Sequence, residues 1–192
     1  MSTEYLTPTT ELQAVNSLLR SIQESPVSIL DDSFVDAQSA LDLIREVSRD
    51  LQGDGWSFNT ETSYTIPLNS DGRAVIPPTA VNVRFPENSN YTQRGQYVYD
   101  TVAHSYVLTD APSASVVFCL PFEELPEQAR RFVVISAKRR FQQEVGGDLN
   151  VVQVDSREEA RSWAEFLNSE AEWSKLNVLT GSSSISRILR AR

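Results

Sequence analysis

Between Leu125 and Gly147 the sequence LPEQARRFVVISAKRRFQQEVGG sets Arg130, Arg131, Lys138, Arg139 and Arg140 within eleven consecutive positions. Arginine forks at that density can hold phosphates, pair with carboxylates or face a partner protein. These five are drawn from only seventeen basic residues, against twenty-six acidic ones and a formal net charge of -9. With a pI near 4.7, binding to nucleic acid or an anionic membrane is not expected of the whole surface, because both depend on Lys and Arg displacing counterions. A local basic patch stays open, and the question is what a basic helix does in an acidic protein.

Other reactive chemistry is sparse. Cys119 is the only cysteine and His104 the only histidine, so one copy can form neither an internal disulfide nor a Cys/His zinc cage. A Ser-His-Asp scheme would have to use His104 beside Ser105, and a single loop histidine reads more simply as a surface residue. The sequence holds no phosphate-binding G-x-x-x-x-G-K-[ST] loop and no G-x-S-x-G elbow, while GDG at 53–55 and GGD at 146–148 read as helix stops. Glu123 and Glu124 could serve as a carboxylate pair for glycoside hydrolysis. They also suit the start of a helix, where negative charge is favoured. No cofactor and no metal is called for. The opening MSTEYLTPTT has no basic or apolar run, and nowhere do roughly 18 apolar residues follow one another, so neither a secretory leader nor a membrane anchor is expected.

Placing these residues requires a frame. With 192 residues and 40% hydrophobic content, the chain can bury one core and accommodate an insertion. Leu12, Val15, Leu18, Leu19 and Ile22 share one face of a helix over residues 10–23, and Thr10 with Gln13 three later forms a capping-box pattern. Pro26 breaks it. A second helix from about Phe34 to Gln52 lines Ala37, Ala40, Leu41, Ile44, Val47 and Leu51 along one side, stopped by Gly53 and Gly55. Short β-branched runs then follow around Asp71-Gly72, a hairpin signal, with YVYD and SASVVFCLPF as further strands limited by Pro67, Pro77, Pro78, Pro86 and Pro112. Helical character returns near Pro126, and a fourth helix is expected after Ser156, whose spacing to Glu159 again fits a capping box, running to about Leu176. The fold class is therefore α+β: a bundle of about four helices with a small antiparallel β region inserted. The expected divisions are a helical pair over 1–56, the β region over 57–122, a second helical pair over 123–180 and a tail over 181–192.

On a wheel, Gln128, Arg131, Lys138, Arg139 and Gln142 gather on one side of the third helix, while apolar residues spread over about half of the circumference. Arg130 and Arg140 fall inside that apolar arc. Their stems can run along the core edge, or two apolar faces can meet two partners, the core and a neighbouring chain. In the fourth helix Ala160, Trp163, Ala164, Leu167 and Ala171 form the expected core stripe, and Phe166 with Trp173 a second one. The β region could cover that second stripe, or it could face another subunit, since interfaces are enriched in aromatics and Arg. Arg130, Arg140, Phe166 and Trp173 are thus the candidate subunit-interface residues. An unpaired guanidinium is costly to bury, so Arg130 and Arg140 should each find carboxylates or backbone carbonyls, and at least one of them is expected at a subunit boundary.

The segments LQAVNSLLRSIQESPVSIL, GWSFNTE after the second helix, YVYD, and FEELPEQARRFVVISAKRRFQ, taken together and in this order, resemble the tail tubular protein A family of short-tailed bacteriophages. The resemblance implies a head-to-tail adaptor, or gatekeeper, assembled as a twelvefold homo-oligomeric ring in the virion tail after synthesis in the host cytoplasm. The implied partners are the portal protein, the tail nozzle protein (tail tubular protein B), tail fibres, and genomic DNA passing through the lumen without sequence-specific binding. Similar adaptors extend their C-termini onto the portal, which makes Ile185, Arg187, Ile188, Leu189, Arg190 and Arg192 candidate portal-binding residues. Two other readings stay open: a nucleic-acid binder using Arg131, Lys138 and Arg139, and a glycan hydrolase using paired carboxylates.

Overall fold

Thr10 starts the first helix. Its hydroxyl accepts from Gln13 N at 3.2 Å while Gln13 Oε1 accepts from Thr10 N at 3.1 Å, so the capping box satisfies two amides that a helix start would otherwise leave open. The computed structural model describes residues 7–31, 34–145 and 149–181, the side chains of 149–155 and 174–181 excepted. Helix α1 spans Glu11–Ser21 and buries Ala14, Val15, Leu18 and Leu19. Beyond it, Asn16 binds both the amide and the carbonyl of Val27, at 2.8 and 2.9 Å, and so straps the segment around Pro26 back onto the helix.

Helix α2 spans Val35–Gly53. The expected face is the buried one: Ala37, Ala40, Leu41, Ile44, Val47 and Leu51 are all in the core. Helix α3 spans Glu127–Val145 and follows a 3-10 turn at Phe122–Glu124. Helix α4 spans Leu149–Gly181, so it begins before Ser156, and Ser156 lies inside it instead of capping it. The residues up to Leu51 and those from Pro121 on form one compact unit, which holds α1, α3, α4 and nearly all of α2.

Gln52–Leu120 is the second unit. Its strands are β1 (Thr60–Thr65), β2 (Ala80–Arg84), β3 (Tyr91–Arg94), β4 (Tyr97–Asp100) and β5 (Ser113–Phe118). A three-stranded antiparallel sheet runs in the order β1-β5-β2, and β3 pairs with β4 as a two-stranded hairpin. The expected reversal at Asp71-Gly72 is present: Gly72 sits at φ +71°, and Asn69 N donates to Arg73 O at 2.9 Å. Only an isolated bridge, Leu68 to Ala74, flanks it. The core of this unit is Ile66, Ala74, Ile76, Val98, Leu108, Ala114 and Val116. Gly55, at φ +82°, is fixed by space as well as conformation, since a Cβ there would meet Val117 Cγ2 at 2.9 Å.

The two ends of this unit are stapled by one amide. Gln52, fully buried, accepts from Leu120 N at 2.7 Å and donates to Leu120 O at 3.1 Å. Asn59 adds a second tie, donating to the carbonyls of Gln52 and Phe118 at 3.0 and 2.8 Å and accepting from Trp56 N at 2.8 Å. Gln52→Leu keeps the bulk but strands the Leu120 amide and carbonyl in the interior, which costs about 1–3 kcal/mol for each buried group left unpaired. The variant is expected to unfold in urea at a lower midpoint with an unchanged slope; an unaltered midpoint would show that the staple contributes nothing.

Candidate subunit interface

Helix α3 carries its basic residues around the whole cylinder, and each finds a different surrounding. Arg130 is 8% exposed. Its Nε donates to Leu125 O at 2.8 Å, one terminal nitrogen to Thr9 O at 2.8 Å, and the other to Glu123 O. The guanidinium also lies 5.9 Å from the Phe122 ring centroid. Its partners are backbone carbonyls of its own chain. The same corner fixes the start of α1: Glu127 accepts from Thr9 N and Thr9 Oγ1 at 2.9 and 2.6 Å, Glu123 accepts from Glu11 N at 3.3 Å, and Arg45 pairs with Glu11 at 3.2 Å. Glu123, weighed for catalysis, thus receives a helix-start amide.

Arg140 reaches α2, with Asp50 at 3.2 Å and Glu46 at 3.7 Å. The side of α3 that gathers Arg131 and Arg139, open in the sequence to a nucleic acid, is not a free surface at these two residues. Instead they face α4: Arg131 pairs with Glu165 at 3.0 Å, and Arg139 Nε meets Glu159 Oε2 at 2.5 Å. Ser136 Oγ donates to the second oxygen of Glu159 at 2.6 Å, and Arg161 shares Glu165 at 3.0 Å. The pairings 131 with 165 and 139 with 159 run in opposite directions along the two helices, so the charges set an antiparallel register. Partly exposed pairs of this kind contribute about 0–1 kcal/mol each. Their role is alignment, and apolar packing supplies the stability.

That packing reverses the two stripes expected on α4. Phe166 is 1% exposed, 5.6 Å from Trp163 and 6.5 Å from Phe132, while Trp163 lies 4.9 Å from Phe132. It is a core residue of the α3–α4 pair. Ser162 and Glu170 are buried beside it along the helix. Ala160, Ala164, Leu167 and Ala171, expected inside, are exposed, and of that set only Trp163 is half-buried. The physical reason is area: the three large rings Phe132, Trp163 and Phe166 gathered together remove more apolar surface from water than four small or medium side chains can. Trp173 is 58% exposed. The candidate tail residues Ile185, Arg187, Ile188, Leu189, Arg190 and Arg192 lie outside the described residues.

The other weighed chemistry is not brought together. Ser105 Oγ donates to Val107 O at 3.2 Å and accepts from Val107 N at 3.0 Å, while His104 sits in an exposed turn at φ +51°. That hydroxyl is engaged by a turn and is not held by an imidazole. Sequence reasoning missed Glu159 and Glu165 as the partners of the basic helix, although their spacing nearly mirrors that of Arg131 and Arg139. Among the described residues no helix is long and apolar enough to cross a membrane.

The family described as tail tubular protein matches residues 12–176, a span that takes in both units. Tail tubular protein A of Klebsiella phage KP34 is 28% identical over 142 residues, covering 73% of this chain and 76% of that protein. The chain belongs to the tail tubular protein family and is a structural component of a bacteriophage virion tail.

Proposed function

We propose that this tail tubular protein is the ring-forming head-to-tail adaptor: about twelve copies join the portal to the tail nozzle, and the ring forms part of the DNA ejection channel. The role is structural and not enzymatic. The observation that carries the reading is the exposed stripe Ala160, Ala164, Leu167 and Ala171 on α4, at spacings that keep all four on one side of a helix. The opposite side of α4 is filled by Phe132 and Phe166. A long helix with one apolar side committed and another open suits lateral contact with a second subunit, and small side chains let two helices approach closely. The exposed Trp173, seven residues beyond Phe166 and so on that side of the helix, is a separate candidate for a partner contact, and Arg140 is held at the α2–α3 edge.

The charge pattern supports a passive channel. Arg130, Arg131, Arg139 and Arg140 all have partners within the chain, so helix α3 is poorly placed to grip phosphates, and a net charge of -9 per copy repels DNA that must slide. The tail from Ile185 to Arg192 is proposed to reach the portal, and tail fibres to attach to the assembled ring.

The test is assembly. Mixed with its portal, the full-length protein should form rings visible by negative-stain microscopy. Leu167→Asp should weaken that assembly by at least about tenfold, the loss expected for a central interface position, with helical content unchanged by circular dichroism. A wild-type chain that stays monomeric with portal and nozzle protein alike would refute the adaptor. Rings formed equally well by Leu167→Asp would move the lateral contact elsewhere.

A further inference from the structure

In the second unit, the hairpin β3–β4 has two faces with different fates. Gln93 pairs with Val98, and Val98 is fully buried in the core with Tyr91 packed against it. Alternation along a strand then puts Thr92, Arg94, Tyr97 and Tyr99 on the opposite face. Tyr106, from the 101–107 loop, packs edge-on to both tyrosines, 4.9 Å from Tyr99 and 6.4 Å from Tyr97. Arg94 Cζ lies 3.6 Å from the Tyr99 ring centroid and Arg73 Cζ 5.8 Å from that of Tyr97.

These two arginines differ from five of those in the helical unit. Arg45, Arg131, Arg139, Arg140 and Arg161 each have a carboxylate within 4 Å. Neither Arg73 nor Arg94 pairs with a carboxylate or donates a side-chain hydrogen bond among the described residues. A guanidinium stacked on a ring is oriented and partly desolvated, yet its N–H edge stays available to a planar anion. The nearby Asp100 does not use it, since Asp100 Oδ1 accepts from Val102 N and Ala103 N, both at 2.8 Å. The loop that supplies Tyr106 also exposes Val102 and Val107, at 67% and 58%.

We propose that the face formed by Tyr97, Tyr99 and Tyr106 with Arg73 and Arg94 is a docking surface for a carboxylate-bearing segment of another polypeptide. Asp or Glu side chains meet the two stacked forks, and Val102 and Val107 cover its apolar positions. Tyrosine and arginine together are the residue types that concentrate binding energy at protein interfaces. A protein partner fits better than DNA because of charge. The unit that carries the two forks, Gln52–Leu120, holds six acidic residues, Asp54, Glu61, Asp71, Glu87, Asp100 and Asp110, against only Arg73, Arg84 and Arg94. Two carboxylates feel mainly the forks they touch, whereas a continuous polyphosphate also meets the surrounding negative field over about 10 Å at ordinary salt. This surface stands independently of the ring reading, since it is tested on the isolated chain.

The experiment is fluorescence anisotropy at low ionic strength with full-length protein and two labelled probes, a poly-glutamate peptide and single-stranded DNA of equal charge. The peptide is expected to bind more tightly than the DNA. Replacing both Arg73 and Arg94 by Ala should reduce peptide affinity by at least about tenfold, as expected for charge-assisted hydrogen bonds, with the thermal unfolding curve unchanged. Arg94→Lys, which keeps the charge but not the planar fork, should also weaken binding. Absence of peptide binding, full affinity in the double variant or in Arg94→Lys, or tighter binding of DNA would each overturn the proposal.

Discussion

Phe166→Ala is expected to lower the unfolding free energy by about 3–5 kcal/mol, the range for removing a buried aromatic ring. The side chain is 1% exposed and packed against Trp163 and Phe132, so the cavity would open in the middle of the α3–α4 pair, where nothing small can fill it. Against a total stability of about 5–15 kcal/mol for a typical domain, the loss is enough to populate the unfolded state. Trp173→Ala is the internal control. With 58% of its surface in water, that ring should contribute within roughly 0.5 kcal/mol to the isolated chain. Leu167→Ala, on the other stripe of α4, completes the set, since that side chain is exposed and should also cost little in the isolated chain. If Leu167→Ala destabilised the monomer in urea while Phe166→Ala did not, the aromatic side of α4 would be the outward one and the arrangement described above would be wrong.

That comparison also marks where the sequence stops being informative. Thr10 and Gln13 are three residues apart, and their capping box needs no knowledge of the rest of the chain, so the start of α1 was legible. The buried side of α2 was legible too, because Ala37, Ala40, Leu41, Ile44, Val47 and Leu51 are apolar at helical spacing and nothing on the other sides competes. Helix α4 offers two apolar stripes of similar strength. Which one turns inward depends on Phe132, more than thirty residues earlier, and a wheel drawn for one helix does not contain it. Ser156 and Glu159 show the same limit. Their spacing imitates a helix start, but Glu159 is engaged by Ser136 and Arg139 on α3, and α4 has already begun at Leu149.

The basic helix had a legible half and a hidden half. That Arg130 and Arg140 need carbonyls or carboxylates follows from desolvation alone, and both have them. That Arg131 and Arg139 are met by Glu165 and Glu159 requires knowing that α3 and α4 run antiparallel. In the β region the strands are short, and two of the contacts that hold the Leu68–Leu108 stretch together are isolated bridges, Leu68 to Ala74 and Arg73 to Val107. Their order was beyond local patterning. The Tyr97–Tyr99 alternation was visible as a strand, but the stacking of Arg94 and Arg73 onto it is tertiary.

Arg130 supplies the second large effect. Its guanidinium is one of the few charged groups in the interior, and it is held by three carbonyl oxygens from Thr9, Glu123 and Leu125 and by no carboxylate. A carbonyl accepts with its dipole, so three of them converging on one cation replace much of the lost hydration without a counter-ion. Arg130→Met retains most of the stem packing but strands these acceptors, at about 1–3 kcal/mol for each one that stays buried. The expected loss is roughly 3 kcal/mol, and it should be local first. Thr9 is tied to this corner through Arg130 and through Glu127, so amides in the first turn of α1 should lose hydrogen-exchange protection before those of α2. Arg130→Lys should recover little, because a single ammonium on a flexible stem cannot address three acceptors spread around a planar fork. Arg131→Met, which breaks only a half-exposed pair with Glu165, should cost about 0–1 kcal/mol. Arg130→Glu would bury a carboxylate among carbonyls and unfold the corner, so any assembly defect in that variant reports folding and not the interface. If Arg130→Lys matched the wild type in both urea stability and exchange at α1, the carbonyl cage would be incidental, and the boundary role first read from the wheel would regain its claim on this residue.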